Sequence, residues 1–258
     1  MILRGRGGVW ILVGVFALVV LIAPFVTLIA VTPWRHFAFS PGDWAAVRVS
    51  VFYTLGALLI IVAFGTPLAW WLARARFRGQ LAVEALVLLP LITPPLAMGI
   101  LLASLFGPAG PAGALAGRLG WWLTNTPSAF ILAQVYAAAP YYIVTARAAF
   151  EGVPREYEEI AWTLGDSLTR SFLRITLPSA LLGLVAAVAL AWVRALGEFG
   201  IVLIIAYFPQ GIPVKLWVNL QNLGLAGVYP LLWIFFIVAL PLPLVLGLLS
   251  RRGTRVPR

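Results

Sequence analysis

The feature that most constrains this chain is the recurrence, from one end to the other, of apolar runs of about 20 residues, the length a helix needs to cross a hydrocarbon core about 30 Å thick. Six such runs can be drawn: Val9 to Val31, Val47 to Leu72, Leu81 to Phe106, Pro127 to Phe150, Pro178 to Tyr207 and Tyr229 to Ser250. Backbone amides cannot be left unpaired in lipid, so each span is either a helix or a strand of a closed barrel. Runs this continuously apolar lack the alternation of barrel strands. The expected fold is therefore all-α and embedded in a membrane, with about six transmembrane helices in one domain that uses residues 1–258. The first run follows Arg4 and Arg6 as a signal peptide would, but it is too long and lacks a convincing small-residue cleavage site, so it reads as a retained span.

A mean hydropathy of +1.02 with only 10% charged residues agrees with lipid as the solvent of this fold. The net charge of +10 would suggest nucleic acid in a soluble protein. Here the positions of the arginines matter more than their sum. Arg4, Arg6, Arg74, Arg76, Arg78, Arg147, Arg155, Arg170, Arg174, Arg251, Arg252, Arg255 and Arg258 fall on one side of the six-span arrangement, against Arg35, Arg48, Arg118 and Lys215 on the other. Positive charge is retained on the cytoplasmic side, so both termini are expected there, in an inner (plasma) membrane, with no nucleic-acid partner. Trp10, Trp34, Trp44, Trp121, Trp122, Tyr207 and Tyr229 lie near span ends, where amphipathic rings rest among head groups.

The chain has no cysteine and His36 is its only histidine, so thiolate chemistry and histidine-rich metal sites are excluded and no metal site is expected. The phosphate-cradling pattern of Gly, four residues, Gly-Lys and Ser or Thr is absent as well, and the only lysine is Lys215. Any ATP and Mg would be bound by another polypeptide, and no cofactor is expected in this one.

The outer loops, Gly107 to Gly120 and Pro209 to Pro213, are rich in turn formers and contain nothing that resembles a separate domain. The inner loop between the fourth and fifth runs, residues 151–177, is the longest polar stretch. It opens with Pro154, suited to a first helical turn, and with Glu156, Glu158 and Glu159 near the positive end of a helix dipole. Ile160 and Leu164 form an apolar stripe, Gly165 interrupts it, and Leu168, Phe172 and Ile175 resume it until Pro178 opens the next span. Two short helices joined at a glycine are expected.

This loop resembles the EAA loop of ABC importer permeases: Glu-Ala-Ala, three residues, Gly, nine residues, Ile, one residue, Leu-Pro. Glu159, Ala161, Gly165, Ile175, Leu177 and Pro178 fall in that register, with Ile160 in place of the first alanine. The stretches WWLARARFRG (70–79), LPLITPPLAMG (89–99), LFGPAGPAG (105–113), RALGEFG (194–200) and IIAYFP (204–209) are similar to the sulfate, molybdate and tungstate branch, most of all to its tungstate and molybdate permeases.

The resemblance implies the type I importer permease fold, a homodimer around one path, a cytoplasmic ABC ATPase and an extracytoplasmic substrate-binding protein. It implies that Glu158, Glu159, Ala161, Leu164, Gly165 and Asp166 couple to the ATPase. It also implies that the third and fifth spans line the path, with gate candidates at Thr93, Pro94, Pro95 and Leu96 and at Glu198, Phe199 and Ile201. Arg194 and Glu198, one helical turn apart inside a span, can pair with each other, either to order helix packing or as part of the anion route. Packing is preferred for Glu198, since a carboxylate repels an anion. Rival readings are a permease for sulfate or another solute, an ATP-independent secondary transporter or channel, and an integral-membrane enzyme, which would need convergent acid, base or metal groups.

Overall fold

The computed structural model describes residues 7–253, with side chains placed for residues 10–248. Arg4, Arg6, Arg255 and Arg258, together with the side chains of Arg251 and Arg252, lie outside the described residues, so part of the expected charge bias has no structural counterpart here. All regular structure among the described residues is helical.

The chain order is α1 (Gly7–Val31), α2 (Asp43–Arg74), α3 (Gln80–Ile92), α4 (Pro95–Phe106), α5 (Pro111–Arg118), α6 (Pro127–Glu151), α7 (Glu156–Thr163) and α8 (Leu168–Ser171). It continues through a π-helical turn (Phe172–Thr176) to α9 (Leu177–Ser179), α10 (Leu181–Leu196), α11 (Gly200–Ile205), α12 (Ile212–Leu223), α13 (Tyr229–Ala239) and α14 (Pro241–Gly253). Four segments are each long and apolar enough to cross a membrane: Trp10–Val31, Asp43–Arg74, Pro127–Glu151 and Leu225–Leu248. Two bent pairs bring the number to six if each counts as one span.

The bends exceed what the sequence led us to expect. The third run is not one continuous helix: α3 and α4 meet at 109°. Pro94 and Pro95 remove two successive backbone donors, so no α-helical ladder can run through them, and Pro95 instead takes the first position of a new helix. The fifth span does not begin at Pro178. That residue lies in α9, ahead of a 74° bend, and the span proper begins at Leu181. Pro178 has no N–H to offer the carbonyl of Arg174, and the Leu177 N–H reaches one residue further back, to Phe172, in the π turn that absorbs the mismatch. Two helices also form where only loops were expected, α5 and α12.

The core is built where α2, α6 and α10 cross. Their contact faces carry small residues at helical spacing, Ala57 and Ala69 on α2, Ala133 and Ala146 on α6, and Ala187 and Ala191 on α10, so the backbones approach closely. Gln134 on α6 ties the three helices with one amide, donating to Thr54 Oγ1 at 2.8 Å and to the Ala195 carbonyl at 3.0 Å. A second buried cluster joins α6 to α4 and α11 through Phe130, Met98 and Ile205. α12 is fixed to the start of α2: Asn219 donates to Asp43, and Ser50 accepts the Ile212 N–H. By contrast α1 keeps an apolar surface that is almost wholly uncovered; Phe25 packs against Phe236 of α13 and, just past the end of α1, the Thr32 hydroxyl accepts from Trp233.

Candidate functional site

Two irregular regions carry the polar groups that a membrane bundle would otherwise avoid. The first is the 151–177 loop. Its expected pair of short helices is present as α7 and α8, and the chain turns between them at Gly165 with φ +91°, a left-handed conformation open to glycine at little cost. Glu156, Glu158 and Glu159 occupy the first turn of α7, and Ser167 caps α8 by accepting the Arg170 N–H.

The loop has two faces. Outward it presents Tyr157, Ile160, Leu164 and Leu168, with Glu159 and Gly165 exposed and Asp166 half-buried in an ion pair to Arg170. Leu164, at 83%, is the most exposed of these. Inward it buries Ala161 and Glu158. Glu158, expected among the residues that meet an ATPase, therefore points the other way, with 2% of its side chain exposed. Its Oε1 accepts from Arg74 Nε and Nη2, both at 3.0 Å, and from the Thr176 hydroxyl. Arg74 Nη2 also donates to the Val153 carbonyl at 3.0 Å. The end of α2, the start of α7 and the π turn are thus pinned at one buried point.

Sequence reasoning missed Arg74 and Thr176 as partners. Arg74 lies 84 residues from Glu158 and sits in a run of arginines whose evident role is to set topology, so no local spacing could single it out.

The second region is the paired break in the third and fifth spans. Here the two stretches taken as gate candidates meet: Pro94, Pro95 and Leu96 face Glu198, Phe199 and Gly200 across a cavity of about 450 Å³ that Arg194 and Gly197 also line. Thr93 is not among its lining residues, and its hydroxyl donates to the Leu89 carbonyl. Ile201 is buried in the second core cluster. The two half-helices cross at glycines. A β-carbon on Gly200 would stand 2.7 Å from Pro95 Cβ, and one on Gly99 would stand 2.9 Å from Ile204 Cβ.

Arg194 and Glu198 do form an ion pair, Arg194 Nη1 donating to Glu198 Oε2. Each charge sits at the helix end of opposite sign, Arg194 in the last turn of α10 and Glu198 just before α11. Glu198 Oε1 also accepts the Ile201 N–H at 2.7 Å, capping the first turn of α11. Both carboxylate oxygens are therefore occupied, and the pair staples the break between the two helices. The Tyr141 ring, unforeseen from sequence, lies 5.7 Å from the guanidinium carbon.

A crossed bundle with a protruding loop, a buried joint beneath it and a cavity at two broken spans has the parts of a transport subunit. A family model described as the binding-protein-dependent transport system inner membrane component matches residues 65–255, which takes in both regions. The chain belongs to this family. The permease is 45% identical over 186 residues to a probable molybdenum ABC transporter permease protein of Haloferax volcanii, covering 72% of this chain and 67% of that one. It is 30% identical over 208 residues to the molybdate/tungstate transport system permease protein WtpB of Pyrococcus furiosus, covering 81% and 78%. Among solved structures, a chain of a bacterial alginate ABC transporter, crystallised in complex with an alginate-bound periplasmic protein, superposes with a TM-score of 0.77 over 98% of this permease and 96% of that chain, at 17% identity. The permease is thus an inner-membrane component with the importer permease fold.

Proposed function

We propose that this permease is the membrane path of an importer for tetrahedral oxyanions of the molybdate and tungstate type, working as a homodimer with both termini in the cytoplasm. A separate ABC ATPase binds ATP and Mg and docks on the outward face of the 151–177 loop. A substrate-binding protein delivers the anion on the opposite side. The observation that carries the coupling assignment is the contrast within the loop: an apolar face led by Leu164 is left uncovered, while the opposite face is locked to α2 through Arg74 and Glu158. A face that hydrophobic on a soluble-side loop marks a protein contact, and a rigid anchor beneath it passes displacement on to the helices.

In this reading Glu159, Leu164, Gly165 and Asp166 meet the ATPase, and Glu158 and Ala161 hold the loop in shape. Closure of two ATPase subunits draws the paired loops together, α2, α6 and α10 follow, and the path opens outward. The gate is formed by Pro94, Pro95, Leu96, Glu198 and Phe199, with Thr93 and Ile201 supporting it from behind. The substrate class rests on the relatives that resemble this chain, two of which are named for molybdenum or for molybdate and tungstate.

The test is uptake into proteoliposomes that hold the permease with its ATPase and loaded binding protein. Labelled molybdate, tungstate and sulfate are compared, alongside a Leu164→Glu variant. ATP-dependent uptake of molybdate or tungstate by wild type, lost in the variant together with stimulated ATP hydrolysis, supports the reading. Uptake of sulfate alone would move the substrate. Uptake that survives Leu164→Glu would remove the loop from coupling.

A further inference from the structure

We infer that the guanidinium of Arg194 is a direct contact for the transported anion within the membrane, acting as a charge filter that favours oxyanions without choosing among them. The inference rests on the oxyanion reading above and assigns it a residue.

An arginine at the depth of a span is expensive unless it faces protein or water. Arg194 does both. One nitrogen is held by Glu198, and a quarter of its side chain is exposed, on the cavity between the two broken spans. Glu198 lines the same cavity, but its side chain is only 1% exposed and both oxygens are occupied. A solute entering the cavity therefore meets the cation of this pair and hardly meets the anion. The remaining walls, Pro94, Pro95, Leu96, Gly197, Phe199 and Gly200, carry no charge of their own.

A second observation gives the cavity the same sign. α4, a 12-residue helix, begins at Pro95, so its positive end opens where Arg194 is exposed, and two successive prolines leave the Leu96 amide as the first backbone donor there. Irregular backbone at membrane depth is tolerated where it is buried in protein or lines a cavity, and residues of both breaks line this one. The volume of about 450 Å³ is ample for a small oxyanion.

A guanidinium recognises negative oxygen, and molybdate, tungstate and sulfate all present it. The residue should therefore raise the throughput of all three together and leave discrimination among them to the binding protein.

The measurement is anion moved per ATP hydrolysed in proteoliposomes containing the complete complex, for wild type, Arg194→Gln, Arg194→Lys and the double variant Arg194→Gln with Glu198→Gln. The double variant keeps a side-chain acceptor to cap α11 and a neutral hydrogen-bonded pair across the break, so packing is retained while the cation is removed. The expected result is roughly a tenfold fall for Arg194→Gln and for the double variant, equal across the three anions, with Arg194→Lys in between; this is the size of one charge-assisted hydrogen bond. Recovery of the wild-type ratio in the double variant would show that the pair serves packing alone and would overturn the inference. If wild type moves none of the three anions, the oxyanion reading itself falls, an outcome distinct from wild-type transport that is insensitive to Arg194.

Discussion

The Arg74–Glu158 pair under the loop and the Arg194–Glu198 pair at the helix break are alike in composition and differ in how they are finished. In both, the carboxylate is sealed and the arginine is the more exposed partner, at 13% and 25% of its side chain. Arg74 donates to Glu158 and to the Val153 carbonyl, and Thr176 adds a further bond to the same carboxylate. That joint leaves little of either side chain uncovered. Arg194 has one carboxylate partner and an aromatic ring, and beyond them an open cavity. A buried ion pair contributes little net stability but is costly to break, so the closed joint suits a part that must move as one piece. The open pair, with charge left accessible, suits a part that must meet something.

The comparison is broken most severely by Glu158→Ala. Arg74 would remain at a buried point with no countercharge, and losing one partner of such a pair costs about 3 to 5 kcal/mol. The expected outcome is a large fall in the thermal midpoint of the purified permease and loss of ATPase from the complex it brings down. A variant that kept both would mean that the loop does not depend on its anchor. Gly200→Val comes next. Its β-carbon would press on Pro95 at the crossing of α4 and α11, and overpacking of this kind costs about 1 to 3 kcal/mol. Here the loop is untouched, so uptake should fall while the ATPase still co-purifies. Loss of the ATPase as well would mean that the two regions are not separable.

Much of this was legible in the sequence because lipid leaves few choices. The runs of apolar residues announced the spans, and the glycine and acidic start of the 151–177 loop announced α7, its turn and α8. The Arg194–Glu198 pair could be drawn from spacing alone because both residues lie within one helical turn. What could not be read was long-range. Glu158 looked like its neighbour Glu159, two carboxylates at the start of a helix, and only the fold turns one toward Arg74 and the other outward. The sharpness of the break after Ile92 was hidden for a related reason: two prolines announce an interruption but not its angle of 109°, nor the long-range packing of α11 across the new helix at glycines. α12 was passed over because its apolar face is short and becomes a helix face only once Asn219 and the Ile212 N–H find Asp43 and Ser50.

A smaller change sharpens the comparison without removing a charge. Thr176→Val keeps the shape of the side chain and deletes one of the donors to Glu158, a loss of about 1 kcal/mol. Because Arg74 still holds the carboxylate, the thermal midpoint should drop modestly and the ATPase should remain bound. If Thr176→Val behaved like Glu158→Ala, the hydroxyl rather than the guanidinium would be the main tie between the π turn and α7.

The smallest effect on stability is expected at Leu164, and for that reason it is the most informative about coupling. At 83% exposure its side chain contributes little to the folded permease, so Leu164→Ala should change the thermal midpoint by an amount equivalent to less than about 0.5 kcal/mol. If the same side chain is buried in a groove of the ATPase, however, truncation removes apolar contact worth about 1.5 kcal/mol or more, or about tenfold in affinity. The two quantities separate cleanly: melting of the permease alone reports the first, and titration of the ATPase into permease-loaded nanodiscs reports the second. A permease with an unchanged midpoint and tenfold weaker ATPase binding would assign the outward face to a partner. Equal binding by both forms would leave Leu164 as a residue resting on the membrane surface, and the anchor at Arg74 and Glu158 would then brace a loop that transmits no force.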